Sequence, residues 1–237
     1  MAKSKNATRI AGEIDRERLH SPADAVALVR RLAFAKFDES VDAVFNLGID
    51  ARQADQLVRG TVSLPHGTGK TIRIAVFADG EKVKEAEDAG ADIVGGTELA
   101  DQIAGGGAIE FDLTIATPNM MSVVGKLGPV LGPRGLMPNP KSGTVTQDVG
   151  KAVEEFKAGK VEYRNDRYGN VHVPIGRISF EAEQLLENFG AISDEILRSK
   201  PPVAKGRFVN KVALSSTMGP GVHIDPAEVE VLVKALR

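Results

Sequence analysis

Residues 59–77 read Arg-Gly-Thr-Val-Ser-Leu-Pro-His-Gly-Thr-Gly-Lys-Thr-Ile-Arg-Ile-Ala-Val-Phe, and a change of character inside them decides the fold. The first six residues form a short extended segment. Pro65-His66-Gly67-Thr68-Gly69 then reads as a linker, because proline fixes its own φ and glycine takes conformations closed to other residues. Residues 72–77 follow as an apolar strand. The pattern before this linker differs from the pattern after it.

After the linker, residues 81–89 read as a helix, 92–94 as a short strand, 98–103 as a helix and 113–116 as a strand. Residues 119–124 open another helix, a Pro/Gly-rich irregular stretch follows, and 147–156 are helical. Strands alternating with helices call for parallel strands joined by helical crossovers, a Rossmann-like three-layer α/β module.

Before the linker, Ser21-Pro22-Ala23-Asp24 combines a capping serine, a proline in the first turn and an early acid. Ala25, Leu28, Val29 and Leu32 then share one helical face. Val41, Ala43, Phe45 and Leu47 alternate with Ser40, Asp42 and Asn46, the pattern of a half-buried strand. From residue 160 strand alternation returns. Val161 and Tyr163 alternate with polar neighbours, a turn spans 165–170, and Val171, Val173 and Ile175 alternate again, together a hairpin over 160–176. A helix at 180–197, a strand at 207–217 and a helix at 226–236 complete the chain. The expected fold class is therefore α/β with two domains. A split β-α-β (ferredoxin- or RRM-like) α+β sandwich, residues 1–67 and 160–237, is interrupted by the Rossmann-like insert, residues 68–159.

The chain of 237 residues is 42% hydrophobic and 26% charged, as in ordinary globular proteins. It has no cysteine, which excludes disulfides and thiolate metal sites, and its four histidines show no ligand spacing. No apolar run approaches the roughly 20 residues of a membrane helix, and residues 1–18 lack the apolar segment of a secretory signal. The net charge of −2 argues against whole-surface attraction to nucleic acid. Its distribution is uneven: residues 68–159 hold 9 basic and 13 acidic side chains, and the remainder holds 21 and 19. The outer module is thus the better candidate for a nucleic-acid surface.

One stretch sharpens this. Between Glu195 and Asp225 there is no acid, but there are Arg198, Lys200, Lys205, Arg207 and Lys211, and the stretch runs into Ser215-Ser216-Thr217-Met218-Gly219-Pro220-Gly221. Cations neutralise phosphates, hydroxyls bond to sugar and phosphate, and glycines admit close backbone approach. In the last strand Arg207, Lys211, Ser215 and Thr217 fall on one face, and Phe208, Val212 and Leu214 on the other. The 160–176 hairpin places Arg164 and His172 on its polar side with Arg167 in the turn. Ala35-Lys36-Phe37-Asp38-Glu39-Ser40 sets an aromatic beside a lysine at a strand entry.

Enzymatic motifs fail on inspection. Thr68-Gly69-Lys70-Thr71 resembles the end of a P-loop, but Leu64 stands where its first glycine belongs and a strand follows where a helix is needed. Gly105-Gly106-Gly107 follows a helix, against the dinucleotide fingerprint. Lys205-Gly206-Arg207-Phe208-Val209 has arginine where the RNA-recognition motif stacks an aromatic. With few aromatics available, recognition of a folded RNA by shape, phosphate and 2′-hydroxyl contacts fits better than base stacking. A nucleotide-dependent enzyme built on the insert is the alternative, and it lacks visible catalytic groups.

Several segments together resemble one family: Lys36-Phe37-Asp38-Glu39-Ser40, Arg59-Gly60-Thr61-Val62-Ser63-Leu64-Pro65-His66-Gly67, Ala89-Gly90-Ala91-Asp92, Leu131-Gly132-Pro133-Arg134-Gly135-Leu136-Met137-Pro138-Asn139-Pro140-Lys141, Tyr163-Arg164-Asn165-Asp166 and Thr217-Met218-Gly219-Pro220. The chain is similar over nearly its whole length to the bacterial family of large-subunit ribosomal protein one, the stalk proteins. The resemblance implies a two-domain, non-enzymatic, cofactor-free protein of the cytoplasm and the ribosome, monomeric when free. It implies binding to the rRNA of the mobile stalk, contact with deacylated exit-site tRNA during its release, and repression of the protein's own operon through its mRNA. It carries RNA contacts to Lys36 and Phe37, to Arg164, Asp166, Arg167, Gly169 and His172, and to Ser215, Thr217, Met218 and Gly219. In this reading Lys36, Arg164 and Arg167 neutralise phosphates, and Ser215 and Thr217 donate to 2′-hydroxyls or phosphate oxygens. Gly219 admits the RNA backbone, and Phe37 and Met218 supply apolar contact. The insert's segment 125–141, with four prolines and Lys126, Arg134 and Lys141, reads as a stiff basic loop, either a rigid connection or a second RNA contact.

Overall fold

The computed structural model describes residues 10, 12–15 and 18–236. Most of the segment 1–18, read above as lacking a secretory signal, therefore lies outside the described residues. The chain divides into two compact units, Met1–Gly69 with Val161–Arg237, and Lys70–Lys160.

In chain order the elements are α1 (Pro22–Leu32), β1 (Ser40–Leu47), β2 (Arg59–Ser63), β3 (Ile74–Phe77), α2 (Glu81–Asp88), β4 (Ile93–Gly95), α3 (Thr97–Ala104), β5 (Leu113–Ala116), α4 (Val149–Lys157), β6 (Lys160–Arg164), β7 (Asn170–Arg177), α5 (Ala182–Arg198), β8 (Val209–Ser216), β9 (Val222–Ile224) and α6 (Pro226–Leu236). Ser21 caps α1 as its sequence suggests, its hydroxyl accepting from Asp24 N at 3.1 Å.

In the first unit the sheet order is β7-β1-β8-β9, with antiparallel neighbours. β7 and β8 therefore run parallel to each other, joined by α5, with β1 between them. Val41, Ala43, Phe45 and Leu47 of β1 are all buried, and Phe45 stacks on Phe189 of α5 with ring centroids 5.8 Å apart. The core joins this face to Val26, Val29 and Leu32 of α1, Leu185, Ile192 and Ile196 of α5, and Val229 of α6. The opposite sheet face, with Asp42, Val44 and Asn46, stays partly open.

Three expectations are corrected here. The hairpin over 160–176 does not form as a ladder: β6 pairs with β2 in a separate two-stranded sheet, and β7 pairs with β1. Across the turn the bridge Asn165↔Val171 and hydrogen bonds between Asp166 and Asn170 join the two sides in place of a ladder. Alternation is alike whichever neighbour a strand takes, so it could not choose between partners. The even alternation over 207–217 also fails, because the register slips between Asn46 and Leu47, where Lys211 and then Val209 are the partners. This bulge at Asn210 ends the strand at Val209 and leaves Arg207 outside it. β9 was not anticipated; its three residues pair with Val212, Ala213 and Leu214.

The linker belongs to the first unit's fabric. Asn188, fully buried in α5, accepts from His66 N at 3.1 Å and donates to the carbonyls of Gly67 and Ile175 at 3.0 and 2.8 Å. A polar side chain amid the apolar face of α5 is thereby satisfied.

The second unit holds the parallel sheet β4-β3-β5. All four residues of β3 are buried, as expected for a strand covered on both faces. Ala75 and Phe77 face α3 and the segment 118–131, and Ile74 and Val76 face α2 and α4. The irregular stretch expected after residue 124 begins later than its composition suggests. Short helical turns continue through Gly125–Leu127 and Gly128–Leu131, with Pro129 tolerated in a first turn. The basic segment 125–141 is thus partly helical.

Candidate nucleic-acid interface

The predicted contact residues fall at two ends of the open sheet face. Lys36 and Phe37 precede β1, and Thr217, Met218 and Gly219 follow β8; antiparallel pairing brings these ends together. Thr217 N donates to Ser40 O at 3.0 Å and Ser40 N donates to Thr217 Oγ1 at 3.0 Å, extending the ladder by one side-chain rung. Phe37 and Met218 are each 55% exposed, and Lys36 and Thr217 are exposed beside them. Both apolar side chains are thus held largely in solvent.

What holds them is a residue that sequence reasoning did not place in the site. Glu39 is 1% exposed. Its Oε1 accepts from Phe34 N at 3.2 Å and Ala35 N at 3.0 Å; its Oε2 accepts from Ser216 Oγ at 2.6 Å and Met218 N at 2.9 Å. Burial pushes this carboxyl up, but the bonds from Ser216, Met218, Ala35 and Phe34 outweigh it and leave it below the ordinary carboxylate range. One buried carboxylate therefore fixes the loop carrying Lys36 and Phe37 to the loop carrying Met218. The signal in the sequence was a second acid, two residues after the Lys36-Phe37 pair, which reads at first as surface charge.

Asp38 anchors the same loop from outside, accepting from Ser179 N at 3.1 Å and Ser179 Oγ at 2.9 Å. Gly219 is required within the protein as well. A Cβ there would collide with Ser216 Oγ, the group that binds Glu39 and also accepts from Gly219 N at 3.1 Å. Its expected service to an incoming backbone is thus joined to holding its own turn.

Arg164, Asp166, Arg167 and Gly169 lie at the opposite end, where Asn170 pairs with Asn46. Six strand steps separate this row from Ser40, roughly 20 Å at ~3.4 Å per residue. The Asp166 carboxylate organises the turn, accepting from Tyr168 N and Asn170 N at 2.8 Å and from Asn170 Nδ2 at 3.0 Å. Burial raises this carboxyl, and the bonds from Asn170 and Tyr168 with nearby His172 bring it below the ordinary range. Gly169 sits at φ 80°, and a Cβ would lie 2.9 Å from Leu47 O, so it too is required by the turn. Arg167 packs over the Tyr168 ring at 5.0 Å, and Arg164 is exposed.

Between the two ends, register aligns the open face in rows. His172, Val44, Ala213 and His223 form one, and Pro174, Asp42 and Ser215 another. Asp42 is raised by burial, with His172 opposing that rise. His172 and Ser215 thus stand mid-face. The predicted residues form a band about 20 Å long with a firm rim at each end, and not a single cluster. Among the described residues no group of three or more His, Cys, Asp or Glu could hold a metal ion, and no helix is long and apolar enough to cross a membrane.

These features define an α/β protein with an open antiparallel sheet face, cationic and apolar at its rims. A profile of the Ribosomal protein L1p/L10e family matches residues 29–220, and the chain belongs to that family. It is 58% identical over 214 residues to the large ribosomal subunit protein uL1 of Rubrobacter xylanophilus, covering 90% of this chain and 93% of the relative. Its identity to the protein of the same name from Streptomyces virginiae is 57% over 226 residues (95% and 93%), and to that of Thermobifida fusca 53% over 235 residues (99% and 100%).

Proposed function

We propose that this chain is a structural, non-enzymatic protein of the large ribosomal subunit, residing in the cytoplasm on the ribosome and monomeric when free. The relatives' name, large ribosomal subunit protein uL1, supports the assignment at that level. The outer unit is read as a split β-α-β RNA-binding domain and the unit 70–160 as an inserted Rossmann-like module. No cofactor enters the proposal. The RNA is the rRNA of the mobile stalk, and membership of the family supports contact with deacylated exit-site tRNA and repression of the protein's own operon through its mRNA.

The observation that carries this reading is the rim built on Glu39, which holds two solvent-exposed apolar tips, Phe37 and Met218, beside Lys36 and Thr217. Such a rim suits a folded RNA: cations meet phosphates, the hydroxyl meets a 2′-hydroxyl, and the apolar tips meet sugar or an exposed base. Arg164, Arg167 and His172 contribute at the far rim and mid-face, with Ser215. Asp166, Gly169 and Gly219 act mainly by shaping the turns that present their neighbours.

Assembly in the cell tests the reading. Tagged protein should co-sediment with the large subunit, and a Phe37→Ala/Met218→Ala variant should shift to the free fraction. Excess wild-type protein should lower translation of a reporter carrying its operon leader. Wild-type protein found only in the free fraction would overturn the assignment.

A further inference from the structure

The five cations between Glu195 and Asp225 are absent from the band described above, and the fold separates them. Arg198 pairs with Asp194 at 2.6 Å, and Lys200 donates to Gly206 O at 3.1 Å. Lys205 stays exposed. Arg207 and Lys211 instead meet His223 around a cavity of about 380 Å³ in the first unit, where β8 begins and β9 ends. Strict alternation would turn Asn210 away from Arg207 and Lys211. The bulge at Asn210 lets all three line the same cavity.

Among the described residues, Arg207, Lys211 and His223 have no ion pair or side-chain hydrogen bond. Among the described residues Asp225 is the one carboxylate in the lining, and its Oδ1 accepts from Ala227 N at 2.9 Å at the start of α6. Among the described lining residues, Arg207 and Lys211 face the single Asp225 carboxylate, which leaves a net positive charge. Leu19, 55% exposed, stands at its wall.

The cavity is continuous with the open face. Lys211 shares a row with Asn46 and Asn170, and His223 shares a row with Ala213, Val44 and His172. We propose that this cavity seats a backbone phosphate of the bound RNA, so that the footprint runs from the rim loops across the sheet to its β9 edge. This rests on the RNA-binding reading above. The Arg207 fork suits two phosphate oxygens, Lys211 adds a point charge, Asn210 offers an amide donor, and Leu19 offers apolar surface to a ribose. A free mononucleotide fits less well, since among the described residues no Phe, Tyr or Trp lines the cavity to take a base.

The test is binding of an rRNA stalk fragment by wild type, Lys211→Gln and Arg207→Gln/Lys211→Gln over a salt series, with an unrelated RNA duplex alongside. Melting curves would establish that the variants are folded. Each lost phosphate contact should lower the salt slope by about one. We expect a change of about one for the single variant and about two for the double, with the double at least tenfold weaker at low salt. Preference for the stalk over the duplex should persist, because phosphate contacts carry little sequence information. Unchanged affinity and slope in folded variants would overturn the proposal. Inorganic phosphate raising the melting temperature of wild type alone, with RNA affinity unchanged in the variants, would make this a free-anion site and overturn the RNA assignment. Wild type binding both RNAs alike would sink the underlying reading, and the pocket proposal with it.

Discussion

Replacing Glu39 with glutamine exchanges one oxygen for an amide nitrogen where four donors converge. The least costly arrangement keeps the remaining oxygen on Phe34 N and Ala35 N and turns the nitrogen toward Ser216 and Met218. The Ser216 hydroxyl can rotate and accept. Met218 N cannot, and an orphaned buried N–H costs about 1–3 kcal/mol. The two bonds retained lose their charge assistance, roughly 0.5–1 kcal/mol each. The sum is about 2–5 kcal/mol, or roughly 4–20 °C in melting temperature for a unit of this size. The gap should depend on pH. Glu39 titrates below its ordinary value of 4.5 in the folded protein, so the unfolded chain binds more protons in that window. Wild-type stability from this group is then complete above about pH 4.5 and is lost as pH falls through the lower folded value. Thermal melts of wild type and Glu39→Gln at pH 7 and at a series of pH values below 4.5 would show the gap closing as the solution is acidified. Stalk affinity at pH 7 should fall with it, because both loops lose their common anchor. Equal melting temperatures at pH 7, or a gap indifferent to pH, would refute the reasoning.

Phe37→Ala and Met218→Ala should each leave stability within about 0.5 kcal/mol, because the side chains are mostly exposed, while weakening RNA binding about tenfold; paired melting and filter-binding measurements check this. Gly169→Ala should cost about 1–2 kcal/mol from its positive φ, with more from the approach to Leu47 O, read as a lower urea midpoint. Thr217→Val removes the acceptor of Ser40 N and should cost about 0.5–1.5 kcal/mol in stability, with RNA affinity falling too. Unchanged stability and affinity would show that the rung between these strands is dispensable.

Much of the architecture was legible because burial repeats with period. The alternation of Val41, Ala43, Phe45 and Leu47 states which side of β1 is covered, and the Ser21-Pro22 start of α1 is local chemistry. Strand partnership is not local, so the 160–176 hairpin was misread: β6 turns away to β2, a strand that lies far earlier in the chain. The Asn210 bulge escaped for a related cause, since one inserted residue leaves composition untouched while changing what Arg207 faces. In the candidate site, Lys36, Phe37, Thr217 and Met218 were legible as residue types suited to RNA. Glu39 was not, because an acid next to a nucleic-acid surface looks unfavourable until its four donors are seen. Gly219 reads in the sequence as making room for a partner and Gly169 as a contact residue, whereas the atoms nearest their missing Cβ belong to Ser216 and Leu47.

The central claim is specific recognition of a folded rRNA by the rim and open face of the first unit. Its most direct test is the affinity of the purified protein for the stalk fragment and for an unrelated duplex, measured across salt. The account predicts tight binding to the stalk that survives salt better than binding to the duplex. Equal, salt-labile binding to both would reduce the surface to a nonspecific cationic patch and contradict it.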